Sequence, residues 1–289
     1  FTINFTPASI GVKNATVTFN SYTNSGLTTA EPVDPVYTFA ISGTGISFTP
    51  CANGPVTTLY VQDFEATPAT PTYAYSYTTG GTVNIAGGTY NNGSGARNAF
   101  IGARSFQVAG IGTSSGEVET TVITMAPIDV SQYNNVNFSM KVGAFRTGTV
   151  QGVDVNELVQ VETSIDNGVN WSVESVLRGY SNSRWDFAAT GVFNAYYTGV
   201  NNGITIDTRN GNAELADGPA TYYVRNLPPV SNLLIRIIVA VDREDEIWAI
   251  DNIRVEGQQP STATWTGVWT PFDPRRIQRP IQYGNQRQC

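Results

Sequence analysis

The sequence predicts an all-β chain. Apolar and polar residues alternate in short runs with a period of two, which is the pattern of half-buried strands. These runs end in clusters of Gly, Asn and Pro, and the chain has 28 Gly and 15 Pro in 289 residues. No stretch sustains the 3.6-residue spacing of an amphipathic helix.

Composition narrows the chemistry. Only 13% of residues are charged, and the formal net charge is −7. A field of this sign repels a nucleic-acid backbone and suits cations. The charge-rich, hydrophobe-poor signature of disorder is absent, and the length allows one large or two ordinary domains with proper cores. No apolar run approaches the roughly 18 residues that suggest a membrane span. There is no histidine, which removes Ser-His-Asp and Cys-His catalysis and His-ligated zinc. Two cysteines, Cys51 and Cys289, are too few for a disulfide scaffold.

Taken in order, residues 1–46 read as three strands. Phe1, Ile3 and Phe5 alternate first, then Ala15, Val17 and Phe19, then Tyr37, Phe39 and Ile41. Three strands with one apolar face lack an opposing sheet, so this part reads as an incomplete sandwich. Residues 47–58, "SFTPCANGPVTT", read as a linker. Residues 59–257 carry the clearest strand patterns: "ARSFQVAG", "EVETTVITM", "VNFSMKVGAF", "ELVQVETSID", "WSVESVLR", "TYYVRNL", "NLLIRIIVAV" and "EIWAIDNIRV". Eight or nine strands without a helix predict a two-sheet antiparallel sandwich of jelly-roll type. In "SIDNGVNWS", Asn167-Gly168 predicts a two-residue hairpin turn, with Trp171 packed on the sandwich or exposed as a sugar platform. Residues 258–289 form an irregular tail or the start of a further repeat. Arg275, Arg276, Arg279 and Arg287 lie in it, a basic cluster suited to an acidic partner if it is not simply a loose end.

Two stretches resemble known families. "INFTPASIGVKNATVTFNS…YTFAISGTGI" resembles the C-terminal half of the immunoglobulin-like repeats of the HYDIN/ASPM type, common in large secreted proteins of Bacteroidota. That resemblance implies a fragment whose other half-domain lies upstream. "DFE", "ITMAPIDVSQYNNVNFSMKV", "ELVQVETSIDNGVNWS" and "WAIDNIRVEG", in that order, resemble MAM-like and carbohydrate-binding-module-like jelly rolls. The second resemblance implies a non-catalytic, extracellular module for adhesion, presentation or glycan binding, within a larger secreted or surface polypeptide. Its expected partner is a glycan or a surface protein, with no nucleic acid and no membrane insertion. An accessory region of a secreted hydrolase and a structural stalk are the alternatives.

The resemblance also implies a structural calcium near the first and last strands, held by Asp63, Glu65 and Asp251, whose carboxylates would repel without a cation between them. Asp251 has two other readings: an acceptor of backbone N–H groups at a bulge, or a catalytic acid. "DREDE", 242–246, reads as a water-exposed hairpin turn, or as a secondary cation site of Asp242, Asp245 and Glu246. A carboxylate pair for glycoside hydrolysis is the third reading there, and "EDEIWAID" lacks the E-x-D-x-x-E spacing of laminarinase-like clefts. The long aromatic stretch 179–197 is the expected ligand site, through Tyr180, Arg184, Trp185, Asp186, Tyr196 and Tyr197. The alternative there is that these rings cap the open end of the sandwich.

Overall fold

The computed structural model describes residues 11–19, 37–45, 54–91, 96–113, 117–147, 152–201, 203–208, 217–260, 262–264 and 286–288. The chain divides into two units, Asn53–Pro260 and the flanking stretches Phe1–Ala52 with Ser261–Cys289. Cys51, Cys289, Arg275, Arg276 and Arg279 lie outside the described residues, as does the strand expected at residues 1–5.

In the flanking unit, β1 (Gly11–Phe19) pairs antiparallel with β2 (Tyr37–Gly45). The register sets Ala15 opposite Ile41, Val17 opposite Phe39 and Phe19 opposite Tyr37. The register thus aligns the two sequence patterns position for position.

The larger unit is a two-sheet β-sandwich. One sheet orders β13 (Val192–Tyr196), β15 (Thr221–Leu227), β10 (Asn134–Arg146), β17 (Glu246–Gln258), β8 (Ser105–Ala109) and β5 (Thr82–Ala86). A seventh strand, β3 (Val56–Gln62), also pairs with β17. The other sheet orders β14 (Ile204–Asp207), β12 (Ser172–Arg178), β11 (Leu158–Ser164), β16 (Leu234–Val241), β9 (Glu119–Met125) and β4 (Tyr75–Thr79). Each strand pattern quoted above for 59–257 forms a strand of one of these sheets. Pairing is antiparallel except for β12–β14 and β13–β15.

Alternation decides which side chains enter the core. Phe138, Met140 and Val142 of β10 and Trp248 and Ile250 of β17 share one core with Val159 and Val161 of β11 and Ile235, Ile237 and Val239 of β16. These interdigitated inner faces are the main source of stability, because they remove the largest apolar area from water. A smaller cluster, Ala99, Phe145, Ile247 and Ala249, lies on the outer side of the seven-stranded sheet. Tyr90 of the hairpin β6 (Thr89–Asn91)–β7 (Ala96–Asn98) and Phe187 pack against it. Half of that outer face is thus covered, and the half toward β13 and β15 stays open.

The turn around Asn167-Gly168 is longer than the sequence predicts. Seven residues, 165–171, separate β11 from β12, although Asn167 and Gly168 do take the positive φ of a tight turn, +63° and +81°. The difference comes from Asp166 and Ser164. Asp166 accepts the Asn170 backbone N–H (2.9 Å) and side-chain amide (2.7 Å), and Ser164 Oγ accepts the Gly168 N–H (2.9 Å). Side chains replace the ladder bonds here.

Candidate functional site

Asp251 stands where β17 changes partners. On one edge β17 runs beside β10; on the other it pairs with β8 over Ile247–Ile250 and with β3 from Ile253 onward. At the gap between β8 and β3 the strand bulges, with Asn252 at φ +46°. The chain leaving β3 carries "DFE", and the chain entering β8 carries Ile101–Arg104, so both reach this gap. Asp251 Oδ2 accepts the Ile101 N–H (2.7 Å) and Oδ1 accepts the Asn252 N–H (2.6 Å). Glu65 Oε1 accepts the N–H groups of Ala103 (2.7 Å) and Arg104 (3.2 Å). Asp63 accepts those of Glu65 (3.3 Å) and Ala69 (3.0 Å). Gly102, at φ +86°, is required: a Cβ there would run into Glu65 Oε1.

These hydrogen bonds do what the bulge reading of Asp251 requires. They replace the ladder that β17 loses between its two partners. Asp251 is fully buried, and burial pushes its carboxyl up to about 7, opposed by the Ile101 and Asn252 N–H groups and reinforced by the charges of Glu65 and Asp63. The three acids therefore sense one another at this seam. Among the described residues, however, the carboxylates whose oxygens all lie within 4.8 Å of one another are a different trio, Glu157, Asp242 and Glu246.

The aromatic stretch 179–197 does not form one surface. Trp185 is wholly buried; its backbone exchanges hydrogen bonds with Ala144, and its indole N–H donates to Val142 O (3.0 Å). Its ring meets Trp248 edge-on at 5.6 Å, so neither face is free for a ligand. Arg184 is buried too. Asp186 caps the following turn through the Ala188 N–H (2.9 Å) and lies 3.6 Å from Arg97. Tyr197 packs against the core, and burial raises its hydroxyl. Tyr180 and Tyr196 alone stay open, at 51% and 50% exposure. Trp171, the other expected aromatic, lies half-exposed under Arg236, 4.2 Å from ring centroid to guanidinium, and donates its N–H to Gly168 O (3.0 Å).

Tyr196 belongs to a wider surface whose other residues are not among those expected from the sequence. On β13 and β15, Phe193, Ala195, Tyr222 and Val224 enter the core. Alternation therefore sends Asn194, Tyr196, Tyr223 and Arg225 to the open half of the outer face. Asn194 stands opposite Tyr223, and Tyr196 opposite Arg225. Ser139 is the next neighbour of Tyr223 and Arg254 the next of Ser139, so one row crosses four strands. The Arg225 guanidinium lies 4.1 Å over the Tyr223 ring and its Nε donates to Asn194 Oδ1 (2.8 Å). Lys141, whose Nζ donates to Thr221 Oγ1 (2.6 Å), closes the row below. The signal was legible as "TYYVRN", where each polar or aromatic residue outside the core alternates with Tyr222 and Val224.

No family model matches the chain, and no curated protein sequence matches it. Among solved structures, it is similar to the carbohydrate-binding module TmCBM61, solved in complex with β-1,4-galactotriose. That similarity covers 67% of this chain and 97% of the other, with 9% identity and a TM-score of 0.34.

Proposed function

We propose that this protein is a non-catalytic β-sandwich module that binds a glycan on the open outer face of its seven-stranded sheet, as part of a secreted or surface polypeptide. The observation that carries this reading is the row of Asn194, Tyr196, Tyr223 and Arg225 on adjacent strands. Sugar rings need flat, partly apolar surfaces for their C–H faces and fixed polar groups for their hydroxyls. Tyr196, half-exposed, supplies the first. Arg225, held by the Tyr223 ring and Asn194, supplies the second with a guanidinium that is already in place.

The test is affinity electrophoresis of the full chain through a panel of neutral and acidic polysaccharides. A retarding glycan should bind at least about tenfold more weakly to Arg225→Ala and to Tyr196→Ala, a loss of about 1.4 kcal/mol. Retardation untouched by both substitutions would move the ligand off this face.

The calcium expected at Asp63, Glu65 and Asp251 belongs with the same reading. The buried charge of Asp251 beside two further carboxylates supports it, while the backbone N–H donors account for Asp251 without an ion. Loss of one bound calcium per chain in Asp251→Asn is the result this reading expects; an unchanged count leaves Asp251 with its hydrogen-bonding role alone.

A further inference from the structure

The "DREDE" segment is not the fully solvated turn that its composition predicts. Arg243, Glu244 and Asp245 do face water to differing degrees, but Asp242 and Glu246 are buried. Strand alternation explains this. Glu246 opens β17 on the same side as Trp248 and Ile250, the core side. Glu157 precedes β11 on the same side as Val159 and Val161, again the core side. The two strands belong to opposite sheets, so the two glutamates face one another across one end of the sandwich. Asp242, in the connection from β16 to β17, completes the group. One oxygen from each acid lies within 4.8 Å of the others.

The donors do not match this concentration of acceptors. Glu157 Oε2 accepts the Asp154 N–H (2.6 Å) and Oε1 accepts the Asp242 N–H (3.1 Å). Among the described residues, no N–H or hydroxyl group donates to Asp242 Oδ1 or to either oxygen of Glu246, and all three atoms are buried. Arg243 is turned toward Asp245, with Nε 2.8 Å from its carboxylate. Burial pushes the carboxyls of Glu157 and Glu246 upward, and the charge of Glu157 adds to the effect on Glu246. Buried carboxylates without donors are among the costliest groups a fold can hold, and what relieves them is either a cation or protons.

We infer that Glu157, Asp242 and Glu246 bind a divalent cation of the calcium class between the two sheets. The ligands are hard oxygens with no nitrogen or sulfur among them, which favours calcium or magnesium over transition metals. Oxygens within 4.8 Å of one another are close enough for a single ion to touch all three, and calcium accepts such irregular oxygen sets more readily than magnesium, which demands near-ideal octahedral geometry. An ion here ties the start of β11 to the β16–β17 connection. This site is separate from Asp63, Glu65 and Asp251, and it does not rest on glycan binding.

The experiment strips the full chain with a chelator and titrates it with Ca²⁺, counting bound ions by equilibrium dialysis. Tb³⁺ serves as a second probe, because Trp248 lies two residues from Glu246 and sensitises lanthanide emission. The expected result is one bound Ca²⁺ that survives Asp251→Asn and disappears in Glu157→Gln/Asp242→Asn/Glu246→Gln, together with the tryptophan-sensitised Tb³⁺ signal. Glu246→Gln alone, the milder change, should weaken Ca²⁺ at least about tenfold if the triple variant does not fold. An ion count and Tb³⁺ emission unaltered by Glu246→Gln and by the triple variant overturn the inference. So does a wild-type chain that binds no Ca²⁺ at millimolar concentration, in which case protons neutralise the three acids.

Discussion

Asp251 holds its place because β17, paired with β10 on one edge, passes from one partner strand to another on the other edge at this residue. The residues before and after it pair with β8 and β3, and the carboxylate takes the Ile101 N–H that neither ladder satisfies. Asp251→Ala should therefore cost about 1–3 kcal/mol in urea unfolding, the cost of leaving a buried donor unpaired, while Asp251→Asn keeps an acceptor and should lose less. Equal losses in the two variants would mean that the charge, not the hydrogen bond, is what the fold uses. Trp185 shows the opposite lesson about reading a residue from its neighbourhood. In sequence it sits among Tyr180, Phe187, Phe193, Tyr196 and Tyr197, and looks like part of a binding loop. In the fold its backbone extends the edge of β10 at Ala144, and that carries the ring into the core against Trp248. Gly218 makes the room, since a Cβ there would strike the indole. Trp185→Ala should lower stability by about 3–5 kcal/mol, the usual cost of truncating a buried aromatic, without weakening glycan binding in the protein that remains folded. A small stability loss with abolished binding would return this ring to the ligand.

At the scale of elements, strands were legible because period-two alternation is imposed locally by a half-buried sheet. The long strands β10 and β17 and the strands β11, β12, β15 and β16 all follow from it. Their connections were less so. Asn167-Gly168 signals a tight turn, but its extent depends on side-chain hydrogen bonds that no period reveals. Those bonds hold the Asp166 carboxyl down at about 2, chiefly through the Asn170 backbone N–H and side chain and then Ser164. A depressed folded pKa means that the stabilisation is present above the ordinary Asp range of about 3.9 and is lost as pH falls through about 2. The amides of Gly168 and Asn170 should accordingly titrate together near pH 2 in heteronuclear NMR spectra. A midpoint in the ordinary Asp range would show that the turn does not hold the charge. The "DREDE" turn misled for a related reason. Five charged residues in a row look solvated, yet the strand that begins at Glu246 sets the facing of its first side chain as firmly as that of Trp248.

For the whole molecule, the two-sheet architecture followed from the number and patterning of strands, because each one-sided sheet must bury its apolar face against another. Which outer face stays open did not follow. That depends on the β6–β7 hairpin and Phe187 covering Phe145, Ile247 and Ala249, a contact between distant segments that leaves the β13–β15 side to solvent. The candidate surface is therefore a property of the assembled sandwich. Tyr196 was legible in the aromatic stretch, while Asn194, Tyr223 and Arg225 join it only once β13 lies parallel to β15.

The most direct measurement is backbone-amide NMR mapping of the isotope-labelled chain titrated with the polysaccharide fragment that binds best. Glycan binding on the open face predicts shifts concentrated at Asn194, Tyr196, Tyr223, Arg225 and their neighbours Ser139 and Arg254, and predicts that Arg225→Ala abolishes them. Shifts centred instead on the 165–171 turn or on Tyr180, with this row undisturbed, would contradict it.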